Sequence, residues 1–150
     1  MVDLMNDHDA RQDDLNQALE ALHFAYRAVT ARPDAMLARH GLSRVHHRIL
    51  YFVARSPGLN VQQLLAILQI SKQAASAPLR QLSQKRLLSV QPAPDDRRMR
   101  RLVLTARGAA LEDKLSGDQR QRFARVFAKV GRKNEAAWRD IMRRLAKDAG

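Results

Sequence analysis

The sequence predicts a mainly α-helical chain that carries one small β-hairpin. Two observations predict this fold class. Apolar residues recur at helical spacing over most of the 150 residues, and the period changes to alternation only between Leu88 and Leu104. A chain of this length buries enough apolar surface to fold as one compact unit without disulfides, and the sequence contains no cysteine.

An apolar stripe predicts the first helix over residues 14–31. Its members follow one another at spacings of three and four: Leu15, Leu19, Leu22, Tyr26 and Val29. The stripe is as narrow as a helix-pairing seam, but a surface helix packed on its own domain would show the same pattern. Pro33 and Gly41 are expected to interrupt the chain around a short helix at 34–39.

Three short helices are predicted next, each behind a residue that favours the N-cap position. Ser43 precedes the first helix, which ends at the Ser-Pro-Gly sequence of residues 56–58. Asn60 precedes the second helix, and Ser71 precedes the third, which extends to about Lys85. The last two helices are therefore expected to meet through a tight turn.

Alternating apolar residues then predict two short strands, one from Leu88 and one ending at Leu104, with a long basic loop between them. Thr105 is a suitable N-cap for a long helix, which Gly117 could bend. Residues 131–134 are expected to separate this helix from a final helix over 135–149.

The charge indicates a polyanionic partner. The net charge is +12 and the pI is about 11.3, and residues 71–108 hold nine basic residues against two acidic ones. Nucleic acid is the first candidate and an anionic membrane surface the second. Because the charge lies on one helix and one hairpin, it favours nucleic acid.

The amino-terminal residues and the hydropathy bear on location. The first 14 residues carry five aspartates against one arginine, which is the opposite of a cationic signal peptide. The apolar runs are too short to cross a bilayer. We therefore expect a soluble, cytoplasmic protein.

The third short helix has a polar face suited to base edges. If Ala75, Leu79 and Leu82 face the core, the opposite face carries Gln73, Ala77, Arg80 and Gln84, with Ser76 on its flank. Gln and Arg make bidentate contacts to adenine and guanine in the major groove, and small residues permit close approach. An ordinary solvated helix would show a similar face.

The hairpin carries a more specific pattern. Asp96-Arg97-Arg98, followed by Leu104-Thr105 and Gly108, resembles the wing of the multiple antibiotic resistance regulator (MarR) family. The resemblance covers residues 60–108 closely and the flanking helices loosely. It implies a winged helix-turn-helix at 43–108, between dimerisation regions at 1–42 and 109–150 of one compact chain.

The resemblance also implies which residues contact DNA. Arg98 would enter the minor groove, and Asp96 would orient it through a salt bridge. Arg97, Arg100 and Arg101 would be either phosphate contacts or solvated strand-edge charges. The full expected set is Ser71, Lys72, Gln73, Ser76, Ala77, Arg80, Asp96, Arg97, Arg98 and Arg100.

Two positions depart from the family pattern. Pro78 lies in the middle of the expected recognition helix, where it removes a backbone hydrogen bond and should bend the helix or loosen its first turns. Arg86 occupies a site where the family often has a left-handed glycine, so this turn could be built differently. Neither departure touches the wing.

We interpret the chain as a sequence-specific regulator of transcription and expect a repressor that binds a near-palindromic operator as a homodimer. The alternative is an architectural protein in which the winged helix coats DNA without sequence preference. No glycine pattern typical of a nucleophile elbow surrounds a serine, so the sequence does not indicate an enzyme.

Relatives in the family often bind phenolic effectors, and this chain could line such a pocket with His23, Tyr26, His47, Tyr51 and Phe52. These residues could equally be core and interface residues. The histidines lack metal-ligand spacing, so we expect no metal or other cofactor.

Overall fold

The computed structural model describes residues 2–96 and 98–148, and it confirms the predicted fold class: six helices and a small antiparallel sheet, a winged helix-turn-helix. The elements are α1 (Val2–Arg39), α2 (Arg44–Arg55), β1 (Leu59–Asn60), α3 (Val61–Leu68), α4 (Lys72–Gln84), β2 (Leu88–Pro92), β3 (Arg100–Leu104), α5 (Ala106–Val130) and α6 (Arg132–Lys147). None of the helices in the described part of the chain is long and apolar enough to span a membrane.

The predicted N-caps are confirmed, since each of the four residues directly precedes a helix. Asn60, Ser71 and Thr105 each accept a hydrogen bond from the backbone N–H three residues later, at 2.8 to 3.0 Å. The start of α2 is capped differently: the backbone N–H of Ser43 donates to Nδ1 of His46 at 3.0 Å. These contacts satisfy backbone groups that a helix start leaves free.

The first helix differs from the prediction. It begins at Val2 rather than near residue 14, and it continues through the buried Pro33 to Arg39. Proline removes the bond to the carbonyl four residues earlier, which is that of Val29. The side-chain amide of Gln119 in α5 donates to this carbonyl at 3.4 Å, so a tertiary contact satisfies the group that Pro33 leaves free.

The carboxyl-terminal boundary also differs, because α6 begins directly after Gly131 rather than at residue 135 and ends at Lys147. Gly131 has φ 87°, and this left-handed backbone alone separates the two last helices. Gly117 does not interrupt α5.

The core forms around α2. Ile49, Leu50 and Val53 of this helix are buried in the core, where α2 contacts α3, α4, β3 and α5. The other fully buried leucines are Leu37, Leu64, Leu82, Leu102 and Leu115. Arg55 at the end of α2 also forms an ion pair with the buried Glu112 of α5. Because α2 contacts all of these elements, it holds α3, α4 and the sheet against the long helix α5.

The hairpin has the predicted strands, and one strand was not predicted. Leu88 is opposite Leu104 and Val90 is opposite Leu102, so the alternating residues share a face. The two-residue strand β1 pairs with the other side of β3, with Leu59 opposite Leu102. Two residues are too short for a period to be visible in sequence.

Long helical faces of α1 and α6 lack a partner among the described residues. Residues 6–28 of α1 are exposed throughout, and Leu19 retains 68% of its accessible surface. Within its described residues α6 has no buried side chain, and Ile141 is 58% exposed. Exposed apolar side chains along a helix, such as these, are typical of an interaction site.

The turn between α4 and β2 packs tightly against the start of α5. Arg86 has φ 58°, the left-handed conformation expected at this site for glycine. Thr105 Oγ1 donates to the Arg86 carbonyl at 2.6 Å, and a Cβ added at Gly108 would overlap the carbonyl oxygen of Leu87. Only glycine therefore fits at position 108.

This close approach generates a matched pair of expected stabilities. Gly108→Ala should lower the free energy of unfolding by about 1–3 kcal/mol, because the turn must move to admit the methyl group. Gly117→Ala should raise it by about 0.5–1 kcal/mol, because a Cβ there would meet only the Arg120 guanidinium at 3.6 Å and alanine is the better helix former. Urea denaturation measures both, and equal effects of the two substitutions would contradict the packing.

Candidate nucleic-acid interface

The recognition helix α4 packs through one face and exposes the other. Ala75, Pro78 and Leu82 are buried and Leu79 is half-buried, so Pro78 belongs to the inner face that the sequence predicted from the other three residues. The helix runs through Pro78 without interruption. The expected contact residues lie on the outside: Ser71, Lys72, Gln73, Ser76 and Arg80 are exposed, and Ala77 is partly exposed.

The buried His46 contacts the recognition helix on the side that faces α2. The sequence did not predict a role for this residue in the interface. His46 of α2 is only 6% exposed, and its Nε2 lies 2.7 Å from Oε1 of Gln81 in α4. Because the backbone N–H of Ser43 donates to Nδ1, the ring proton must lie on Nε2 and point at Gln81. His46 thus joins the start of α2 to α4.

The wing is a polar loop at the end of the hairpin. The backbone N–H of Arg98 donates to Oδ1 of Asp96 at 3.0 Å, and Arg101 pairs with Asp95 at 3.5 Å. The expected salt bridge between Asp96 and the Arg98 guanidinium is therefore wrong: Asp96 shapes the turn through the backbone. Arg97, an expected contact residue, lies outside the described residues.

The exposed arginines of this surface are available to a partner. Arg80, Arg98 and Arg100 are all exposed, and none of them forms an ion pair within residues 2–96 and 98–148. The sequence of α4 contains no acidic residue. The surface thus offers cations and hydrogen-bonding groups without a neutralising carboxylate on the recognition helix.

A second basic segment carries as much charge as this surface. Residues 120–147 contain ten basic residues and two acidic ones, so their net charge is at least as high as that of residues 71–108. The positive charge of the chain is therefore not concentrated on α4 and the hairpin alone. The acidic amino-terminal residues offset it in the total. Net charge alone therefore does not locate the candidate interface, which rests on the exposed side chains of α4 and the wing.

A small cavity of about 190 Å³ lies between α1, α2 and α5. Four of the five expected pocket residues line it: Tyr26, His47, Tyr51 and Phe52. The fifth, His23, lies outside the lining; it is exposed and packs edge-on against Phe24.

Polar groups fix the wall of this cavity. Burial lowers the pKa of His47, whose Nε2 lies 3.1 Å from Oγ of Ser116, so the neutral ring is favoured. Hydrogen bonds from Arg44 to Asp34, the shortest at 2.8 Å, raise the pKa of Arg44. Arg48 lies beside them and donates to the Tyr26 hydroxyl at 3.3 Å.

Comparison with known proteins identifies the family. A sequence profile of the MarR family matches residues 40–99. The HTH-type transcriptional regulator PetP of Rhodobacter capsulatus is 38% identical over 130 residues, which cover 87% of this chain and 78% of PetP. The chain belongs to the MarR family.

Solved structures share the fold of this MarR-family chain. A MarR-family transcription regulator is 27% identical, with a TM-score of 0.68 over 93% of this chain and 97% of that one. NadR in complex with 4-hydroxyphenylacetate is 23% identical, with a TM-score of 0.69 over 85% and 91%. PcaV from Streptomyces coelicolor, in complex with its natural ligand, is 18% identical, with a TM-score of 0.68 over 90% and 93%.

The MarR-family chain is therefore a DNA-binding regulator of transcription and not an enzyme. The family match begins just before α2 and includes α4 and most of the wing. The exposed groups of α4 lie within it, so the observed surface and the family assignment concern the same part of the chain.

Proposed function

We propose that this MarR-family chain is a repressor that binds a near-palindromic operator as a homodimer and is released by a small aromatic effector. The observation that carries the proposal is the outer face of α4, where amide, hydroxyl and guanidinium groups stand exposed without an acidic residue. Such a helix can donate to base edges in the major groove.

The contact roles follow from position on the helix and the wing. Gln73, Ser76, Ala77 and Arg80 would approach base edges, while Ser71 and Lys72 at the helix start would lie near phosphate, where free backbone N–H groups favour anions. In the wing, Arg98 would approach the minor groove, and Arg97 and Arg100 would each approach a phosphate, with Asp96 holding the turn.

The exposed apolar faces of α1 and α6 support the homodimer. A second copy of the chain would cover both faces at once, because a two-fold interface uses the same patches on each subunit. The assignment of residues 1–42 and 109–150 to dimerisation, and of 43–108 to DNA binding, is part of this proposal. Two copies would present two recognition helices to successive half-sites.

The cavity beside His47 supports an aromatic effector. Its volume of about 190 Å³ is below the roughly 300–1,000 Å³ of sites for larger ligands, so a single-ring molecule is the appropriate size. Arg44 is engaged by Asp34, which leaves Arg48 as the lining cation for a carboxylate. A ligand there would lie between α1, which carries the dimer face, and α2, which holds α4 through His46.

Substitutions at two arginines distinguish sequence-specific DNA contacts from purely electrostatic ones. Arg80→Ala should weaken binding to an operator duplex by about 1–3 kcal/mol and reduce the preference for that operator over random DNA. Arg100→Ala should weaken both duplexes alike and reduce the slope of log affinity against log salt concentration by about one. Fluorescence anisotropy titrations at several salt concentrations measure both effects.

The outcome that contradicts these roles is unchanged operator affinity in both variants. Arg125→Ala is the control, since this exposed arginine lies on α5, outside the proposed contact surface.

The effector has a separate test. 4-Hydroxyphenylacetate, used as the probe, should displace the wild-type protein from the operator duplex, whereas Arg48→Ala should need at least a tenfold higher concentration because the carboxylate loses its cation. Arg27→Ala, a charge-matched change outside the cavity, should behave as the wild type. Equal displacement of all three proteins, or of none by any aromatic acid in a panel, would exclude this pocket as the effector site.

A further inference from the structure

A basic pocket lies at the carboxyl end of α4, one turn beyond Arg80. It is an open hollow of about 660 Å³, and none of the described residues that line it is acidic. Its basic lining residues come from α1, the turns after α1 and α4, and α5. We call them the basic pocket: Arg39, His40, Lys85, Arg86 and Arg107.

The fold fixes these residues near one another. Gly108 brings the first turn of α5, with Arg107, against the backbone of Leu87, and the Thr105 hydroxyl holds the Arg86 carbonyl at 2.6 Å. On the other side, Lys85 Nζ lies 3.5 Å from the position that a Cβ on Gly41 would take. The pocket is therefore built by the same close packing that joins α4 to α5.

Two of these residues, Arg107 and Arg86, lie at positions where their side chains do not stabilise the fold of the isolated chain. Arg107 lies in the first turn of α5, where the helix dipole favours an acidic side chain, and this turn has none. Arg86 occupies left-handed backbone that a glycine would adopt with less strain. By contrast, Arg39 and Lys85 lie at helix carboxyl ends, where a cation is favourable in any helix.

The cations also lack protein counterions. Within residues 2–96 and 98–148, no ion pair involves any member of the basic pocket. An anion bound here would face the positive end of α5 and several guanidinium groups at once. Adjacent phosphate groups suit this arrangement, because the planar guanidinium binds phosphate oxygens in pairs.

We propose that the basic pocket is a phosphate-binding site separate from the base-contacting part of α4. Arg80, the last of the residues proposed to contact bases, lies four residues before the carboxyl end of α4, or about 6 Å along the helix axis. The phosphates could belong to the DNA backbone beyond the recognition helix or to a free polyphosphate, and the two sources have the same chemistry. Bound phosphate would contact both the turn after α4 and the first turn of α5.

Pyrophosphate is the probe, titrated calorimetrically into the full-length protein at constant ionic strength. The wild type should bind it saturably, and the double variant Arg86→Gly with Arg107→Ala should bind at least tenfold more weakly. The double variant Arg125→Ala with Arg132→Ala loses the same charge from exposed sites outside the pocket and should remain within twofold of the wild type. Arg107→Gln alone is a second variant that leaves the turn unchanged, and it should also weaken binding.

Titrations with duplex DNA distinguish the two sources. If the ligand is a free polyphosphate, the pocket variant and the charge-matched control should bind DNA equally. If the ligand is the DNA backbone, the pocket variant should bind DNA more weakly than the control and show a salt slope smaller by up to about two. The proposal is overturned if the folded pocket variant and the control bind both pyrophosphate and DNA alike.

Discussion

The close approach of α5 to the turn between α4 and β2 is the constraint on which the molecule depends. At this point the end of the recognition helix, the first strand of the wing and the start of the long helix meet within a few residues, and the space admits only glycine at position 108. The Thr105 hydroxyl closes the junction by holding the Arg86 carbonyl. A displacement of α5 therefore moves the wing and the recognition helix together, because packed backbone transmits strain.

The second connection runs through α2. Its inner residues fill the core between α3, α4 and the sheet on one side and α5 on the other. His46 contacts Gln81 in α4, and the neighbouring His47 contacts Ser116 in α5. Consecutive residues thus face opposite parts of the structure. In the proposed function, a ligand beside His47 changes the spacing of the two recognition helices by biasing this rigid connection, as any effector must bind the two states with different affinity.

Local sequence signals predicted the parts of the fold that depend on neighbours in the chain. The caps at Asn60, Ser71 and Thr105 need only a side chain and a backbone N–H three residues away, so they could be predicted. The continuation of α1 through Pro33 could not, because it depends on an amide from Gln119, distant in sequence. The strand β1 likewise depends on its partner rather than on its own two residues.

The candidate interface shows the same division. The outer face of α4 follows from helical period, whereas the role of Asp96 depends on a loop conformation that the sequence pattern did not specify. The family resemblance predicted four residues that line the cavity. It also predicted His23, which does not line the cavity, because the sequence does not show which side of α1 packs against α2 and α5. No local pattern connects His46 to Gln81.

The most direct test of the account is selection of binding sites from random duplex DNA by the wild-type protein. A two-fold pair of recognition helices with base-contacting side chains predicts an enriched near-palindrome, with half-sites separated by about one helical turn. An architectural protein that coats DNA predicts affinity without an enriched sequence. Selection that yields no motif, or a single half-site without its inverted partner, would contradict the proposed mode of DNA recognition.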